Sequence, residues 1–176
     1  MPGRPDYSWV IETLQVLQHL AGYTPVVIGT PPLGIDVAGS DIDIACHAPD
    51  LDAFAAHLRT EFGGRPAFEI MRLVVRDVPS LACSFAFAGW QIEIFGQDVP
   101  VEAQYGVRHY AIEYRLLALL GPGFKARVLA LKRAGLKTEP AFARLLGLEG
   151  DPYEVLLAVE TWPDERVLAQ GGSMTT

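Results

Sequence analysis

The chain has 176 residues, half of them hydrophobic and a fifth charged, the balance of a soluble globular protein and not of a disordered one. That length suits one domain, or a compact catalytic half with a helical appendage. A formal net charge of -7 argues against a general nucleic-acid binder, which would neutralise phosphates with a basic surface.

Val10, Ile11, Leu14, Leu17 and Leu20 recur at helical spacing behind the potential caps Asp6 and Ser8, so an amphipathic helix opens the chain and Gly22 ends it. Pro25 to Ile28 reads as a short strand. A Gly- and Pro-rich loop runs from Gly29 to Ser40, and Asp41 to Cys46 then alternates polar and apolar as a strand does. Leu51 to Phe62 reads as a helix capped by Asp50 and closed by Gly63. Phe68 to Arg76, Leu81 to Ala88 and Trp90 to Phe95 are three antiparallel strand candidates, separated by Asp77-Val78-Pro79-Ser80 and by Gly89.

The remainder is helical: Val107 to Leu120, a break at Gly121-Pro122-Gly123, Phe124 to Ala134, Glu139 to Leu146, and Tyr153 to Glu160 behind Asp151-Pro152. Strands first and helices last predict an α+β fold with a small mixed β-sheet, flanking helices and a C-terminal helical section. The expected division is a core over 1–120, a helical section over 121–170 packed on it, and a flexible tail over 171–176. No apolar run approaches the roughly 20 residues that span a bilayer. Met1-Pro2-Gly3-Arg4-Pro5-Asp6 lacks the apolar stretch of a signal peptide, so a cytoplasmic protein without membrane contact is expected. Cys46 and Cys83 lie in apolar strand-like runs and read as buried free thiols.

Asp41 and Asp43 stand two apart on a strand, which turns both carboxylates to one side and Ile42 and Ile44 to the other. Glu93, between Ile92 and Ile94, repeats the pattern. If its strand lies beside the first, three carboxylates converge on one face and require cations. Oxygen-only ligands select Mg²⁺ or Mn²⁺, ions that share their coordination with substrate phosphates, so a nucleoside triphosphate is implied. Gly29-Thr30 ends the preceding strand, where backbone N–H groups can approach phosphate and a hydroxyl adds one contact.

An apolar residue before Gly29-Thr30, then Asp41-Ile42-Asp43-Ile44 and later Ile92-Glu93-Ile94 resemble the polymerase-beta-like nucleotidyltransferase superfamily over about residues 25 to 95. The stretch from Gly34 to Asp43 is similar to a bacterial branch known only as a domain of unknown function. The resemblance implies that Asp41 and Asp43 are paired metal ligands and that Glu93 is the third acid. It also implies that Gly29 and Thr30 touch phosphate. Thr30 departs from the usual Ser or Gly, and Glu93 from the commoner Asp. The implied activity moves a nucleoside monophosphate from a triphosphate, with ATP the expected donor, to a small-molecule or protein acceptor; nucleic acid is the disfavoured acceptor. The alternative is a non-catalytic nucleotide-binding or regulatory module with the same fold.

Ser40 is a candidate nucleotide contact or a turn former, and Asp36 falls to a turn role outside the metal set. His109 reads as a packed histidine or a residue near the cleft. The small residues Ala82, Ser84, Ala86 and Ala88 leave space on one face of their strand, a candidate cleft floor. Arg72 and Arg76 share a side of the neighbouring strand and are candidates to meet a triphosphate. Six of the 14 Lys and Arg residues, among them Lys132 and Lys137, lie between positions 125 and 144. They read as a solvated helix face or as phosphate contacts.

Overall fold

The computed structural model describes residues 4–172. Its chain packs as two compact units. One takes the chain up to Pro32 together with Gly39–Val107; the other takes Leu33–Ala38 and the chain from Arg108 onward. The units therefore part at Val107, where the sequence pattern suggests Gly121.

In the first unit, the Asp6 carboxylate accepts from the Ser8 amide at 2.8 Å and starts α1, Tyr7–Leu14. The single helix expected up to Leu20 is broken at Gln15, whose left-handed φ of 49° separates α1 from α2, Val16–His19. A 3₁₀ turn, Ala21–Tyr23, leads to β1, Val26–Ile28. After β1 the chain forms one helical turn, α3, Thr30–Leu33, inside the stretch expected to be loop. β2 is Ile42–His47, and α4 is Leu51–Phe62, capped by two backbone N–H bonds to Asp50.

β3, Glu69–Val75, β4, Val78–Phe87, and β5, Trp90–Gln97, complete a five-stranded sheet of order β1-β2-β5-β4-β3. It is mixed: β2 and β5 run parallel, and the other pairs are antiparallel. Both hairpins close with two residues at positive φ, Arg76-Asp77 (50° and 65°) and Ala88-Gly89 (49° and 83°), the twist that two-residue hairpins favour. The connector expected at Asp77 to Ser80 thus shrinks to two residues, and Val78, Pro79 and Ser80 join β4.

One face of the sheet carries the core. Ile42, Ile44, Leu81, Cys83, Phe85, Ile92 and Ile94 are fully buried with Phe54, Leu58 and Phe62 of α4, each large side chain contributing about 1.5–3 kcal/mol. Gly96 lets α4 approach, because a Cβ there would stand 2.3 Å from the Phe54 ring.

The second unit is helical, as expected. α5, Tyr105–Arg133, runs into it and loses helical geometry at Gly121 (φ 71°, ψ -168°), the predicted break. α6 is Thr138–Leu145 and α7 Pro152–Leu157, with Asp151 capping Tyr153. A further helix, α8, Asp164–Gly172, occupies sequence that gave no signal. Gly171, expected in a flexible tail, is buried in α8, and residues 173–176 of that tail lie outside the described residues. Leu33 and Ile35 join Ile112, Leu116, Phe124, Phe142 and Val167 in this unit's own core. Among the described residues no helix is long and apolar enough to cross a membrane.

Candidate functional site

The alternation that buries Ile42, Ile44, Ile92 and Ile94 leaves Asp43 and Glu93 on the opposite face of the sheet. The parallel register of β2 and β5 sets Asp43 directly against Glu93, and the antiparallel register of β1 sets Ile28 against Asp43. Gly29 follows at φ 80°, with the Asp43 carboxylate lying over it: a Cβ on Gly29 would stand 2.2 Å from Asp43 Oδ2. Glycine is required there twice, for its backbone angle and for that close approach. Thr30 begins α3, and Asp41 is an exposed residue one step before β2.

Partial loss of solvent raises the Asp41 pKa, and the Arg4 guanidinium opposes the rise. Burial raises the Glu93 pKa, and the negative charge of Asp41 raises it further. Like charges thus meet on one face, the donor chemistry that suits a hard divalent cation. Among the described residues, no three His, Cys, Asp or Glu side chains stand grouped as a ready cage for an ion. Mg²⁺ seldom needs one, since it keeps waters and takes substrate oxygens.

Arg4 was not singled out by the sequence. Its side chain stacks 3.4 Å from the Trp90 ring centroid and donates to the Ser40 carbonyl at 2.8 Å, while the Trp90 indole N–H donates to the Pro5 carbonyl at 2.9 Å. The N-terminal segment is therefore tied to the start of β5 and to the turn before Asp41. Ser40 serves that turn through its backbone.

Beside the acids lies a cavity of about 470 Å³, lined by Asp43 and Glu93 and walled mainly by apolar side chains of the sheet and of the segment from Val99 to Gly106. Gln97 and Gln104 belong to its lining, as do Arg76 and Tyr105, which stack at 3.7 Å. The register puts Ala82 against Phe95 and Ser84 against Glu93, so the small face of β4 is the acid face, although β4 lends the cavity only Val78.

Residues 9–159 match the family described as a domain of unknown function, DUF4269. The chain belongs to that family. No curated protein matches it. The fold of this DUF4269 member is nucleotidyltransferase-like. It is similar to the polymerase core of TRAMP, an RNA surveillance complex, with a TM-score of 0.55 and 17% identity over 91% of this chain and 58% of that one. It is similar also to Cid1 poly(U) polymerase bound to MgGTP, with a TM-score of 0.52 and 18% identity over 72% of this chain and 40% of that one. A cytoplasmic RNA terminal U-transferase gives a TM-score of 0.52 and 17% identity over 80% of this chain and 41% of that one. The DUF4269 chain thus spans between two fifths and three fifths of the structures it resembles. By their names these proteins act on RNA, so they lend no support to the composition argument against a nucleic-acid acceptor.

Other expected candidates have structural partners in this DUF4269 chain. Arg72 is paired with Asp52 of α4, while Arg76 leaves the strand for the hairpin turn and lines the cavity. The two therefore do not share a side, because the left-handed turn ends the alternation at Val75. Within the second unit, His109 is buried and donates from Nε2 to the Tyr153 carbonyl at 2.8 Å, the packed arrangement. Lys132 is buried and donates to Thr138 Oγ1 at 2.7 Å, and Lys125 donates to the Leu33 carbonyl at 2.9 Å. Lys137 occupies the N-cap of α6 without a side-chain cap bond. Asp36 belongs to the segment that packs with the helices, apart from the unit that carries Asp41 and Asp43.

Proposed function

We propose that this protein is a nucleotidyltransferase that moves a nucleoside monophosphate from a nucleoside triphosphate, ATP being the expected donor, to a hydroxyl on a small-molecule or protein acceptor. The observation that carries the reading is the register of Asp43 against Glu93 on the open face of the sheet, at the end of a strand finished by Gly29. A nucleotidyltransferase-like fold around that pair supports it.

Asp41, Asp43 and Glu93 would hold Mg²⁺ or Mn²⁺, which supplies positive charge to neutralise the triphosphate and to lower the pKa of the acceptor hydroxyl. Gly29 and Thr30 offer the phosphates a backbone without a side chain in the way and one hydroxyl. The acceptor oxygen attacks the α-phosphorus, the bond from that phosphorus to the bridging oxygen breaks, and pyrophosphate leaves. Glu93 would take the acceptor's proton.

The test is pyrophosphate release and label transfer from α-labelled triphosphates, with Mg²⁺ or Mn²⁺, in wild type and in Asp41→Ala, Asp43→Ala and Glu93→Ala. Transfer lost in all three folded variants supports the assignment, and transfer retained in Asp43→Ala overturns it. Metal-dependent triphosphate binding without any transfer favours the non-catalytic module.

A further inference from the structure

The end of the sheet that carries Asp41 also carries a fixed positive charge. The parallel strands β2 and β5 enter the sheet from that end, Ile42 beside Ile92. Arg4 spans it: the guanidinium lies 3.4 Å from the Trp90 ring centroid and donates to the Ser40 carbonyl at 2.8 Å. The chain leaves β1 at Ile28, opposite Asp43, and runs antiparallel to β2, which brings Gly29 and Thr30 toward the same end.

An ordinary surface arginine would swing clear of an arriving cation, and this one is held. Trp90 is only 4% exposed and its indole N–H donates to the Pro5 carbonyl at 2.9 Å, so the ring and the backbone beside Arg4 form one platform. Pro5 has a restricted φ, and Asp6 caps α1 directly after it. The guanidinium keeps its charge across the physiological pH range. That charge acts on the Asp41 carboxylate.

A charge so placed has opposite effects on the two forms in which a divalent cation arrives. The bare ion is positive, so Arg4 repels it while the acids attract it. Among the described residues no three His, Cys, Asp or Glu side chains stand grouped as a cage, so a bare ion also lacks a full set of donors. The complex of the ion with a nucleoside triphosphate brings its own oxygens and carries net negative charge, so Arg4 attracts it while the metal within it meets the acids.

We propose that Arg4 makes the site selective for the metal–triphosphate complex over the bare divalent ion, so that metal and nucleotide arrive together. The proposal rests on the nucleotidyltransferase reading, and its test separates the two.

The probes, both applied to the full chain, are Mn²⁺ alone, followed by its effect on water-proton relaxation, and the Mg²⁺ complex of ATP, followed by calorimetry. Arg4→Met keeps a side chain to lie on Trp90 and removes the charge. Arg4→Gln also removes the charge but keeps an N–H for the Ser40 carbonyl, and Arg4→Lys keeps the charge. Arg4→Met and Arg4→Gln are expected to bind MgATP about tenfold more weakly and Mn²⁺ alone about threefold more tightly, both shifts shrinking as salt is raised. Arg4→Lys is expected to stay close to wild type in both assays. In an Asp41→Ala background the gain in Mn²⁺ binding is expected to disappear.

Opposite shifts are the signature of charge, since a residue that merely staples the turn would weaken both ligands together. Both ligands weakened, or neither changed, in Arg4→Gln while wild type binds MgATP overturns the selectivity and leaves the nucleotide reading standing. A loss in Arg4→Lys equal to that in Arg4→Gln does the same, and Arg4→Gln keeps the test decisive should Arg4→Met fail to fold. No MgATP binding by wild type overturns the nucleotide reading, and the proposal with it.

Discussion

Asp43 and Glu93 are register partners across the parallel pair β2–β5, so neighbouring backbones fix their side chains on one face. Replacing either by its amide is expected to lower nucleotidyl transfer about 100-fold or more, the scale on which a lost charge-stabilising group acts. Glu93→Gln also removes the partial desolvation of a charge and the repulsion from Asp41, so the metal-free variant should melt no lower than wild type. Steady-state transfer assays and thermal denaturation with and without Mg²⁺ check both halves. Full activity in either variant would end the assignment.

Gly29 combines φ 80° with the contact of Asp43. Gly29→Ala is expected to destabilise the fold by about 1–3 kcal/mol, the cost of holding a side chain in sparsely populated backbone space. It should also push the Asp43 carboxylate aside. Urea unfolding gives the first effect, and weakened Mg²⁺-dependent triphosphate binding gives the second. A variant as stable and as active as wild type would contradict this account of the turn.

Glu113 is buried among the helices, and burial, then the charge of Glu139, raises its pKa well above the usual carboxylate value, against the opposing Lys132. The folded chain therefore keeps a proton that the unfolded chain releases near about pH 4. Stability is lost as pH rises from there through the folded pKa. Glu113→Gln should leave the melting temperature almost unchanged at the acid end and raise it at neutral pH, by about 2–4 °C for each kcal/mol recovered. Calorimetry across that range is the measurement, and a lower melting temperature at neutral pH would refute the sign.

Burial pushes the thiols of Cys46 and Cys83 up to about 12. Both are fully buried and unpaired as disulfides. Neither should be alkylated by iodoacetamide at neutral pH until the protein unfolds, since the thiolate is the reactive form. Mass spectrometry in native and denaturing buffer checks this, and rapid labelling in native buffer would contradict it.

Much of the local structure is legible in the residues. Asp6, Asp50 and Asp151 cap the helices they were expected to cap, because a short carboxylate next to an amide is decided within four residues. The side shared by Asp43 and Glu93 follows from strict alternation with isoleucine. Gln15 and Arg76 were misread for the converse reason: neither residue type announces a left-handed angle, and each is held there by its surroundings. The helix Asp164–Gly172 gave no signal because the patterns before it end at Glu160, and its apolar face is supplied by few residues, Val167 and Gly171 among them.

The sequence by itself determined the α+β class, the three acids, the glycine before them and the resemblance to a nucleotidyltransferase, since each depends on residue type and short spacing. Only the tertiary structure decided that β5 lies parallel beside β2, which sets Glu93 against Asp43 across fifty residues of chain. It alone placed Arg4 near Asp41 and sent Leu33 and Ile35 to the helical core. Strand order and burial arise from the packing of the whole chain, and no window of local spacing contains that information.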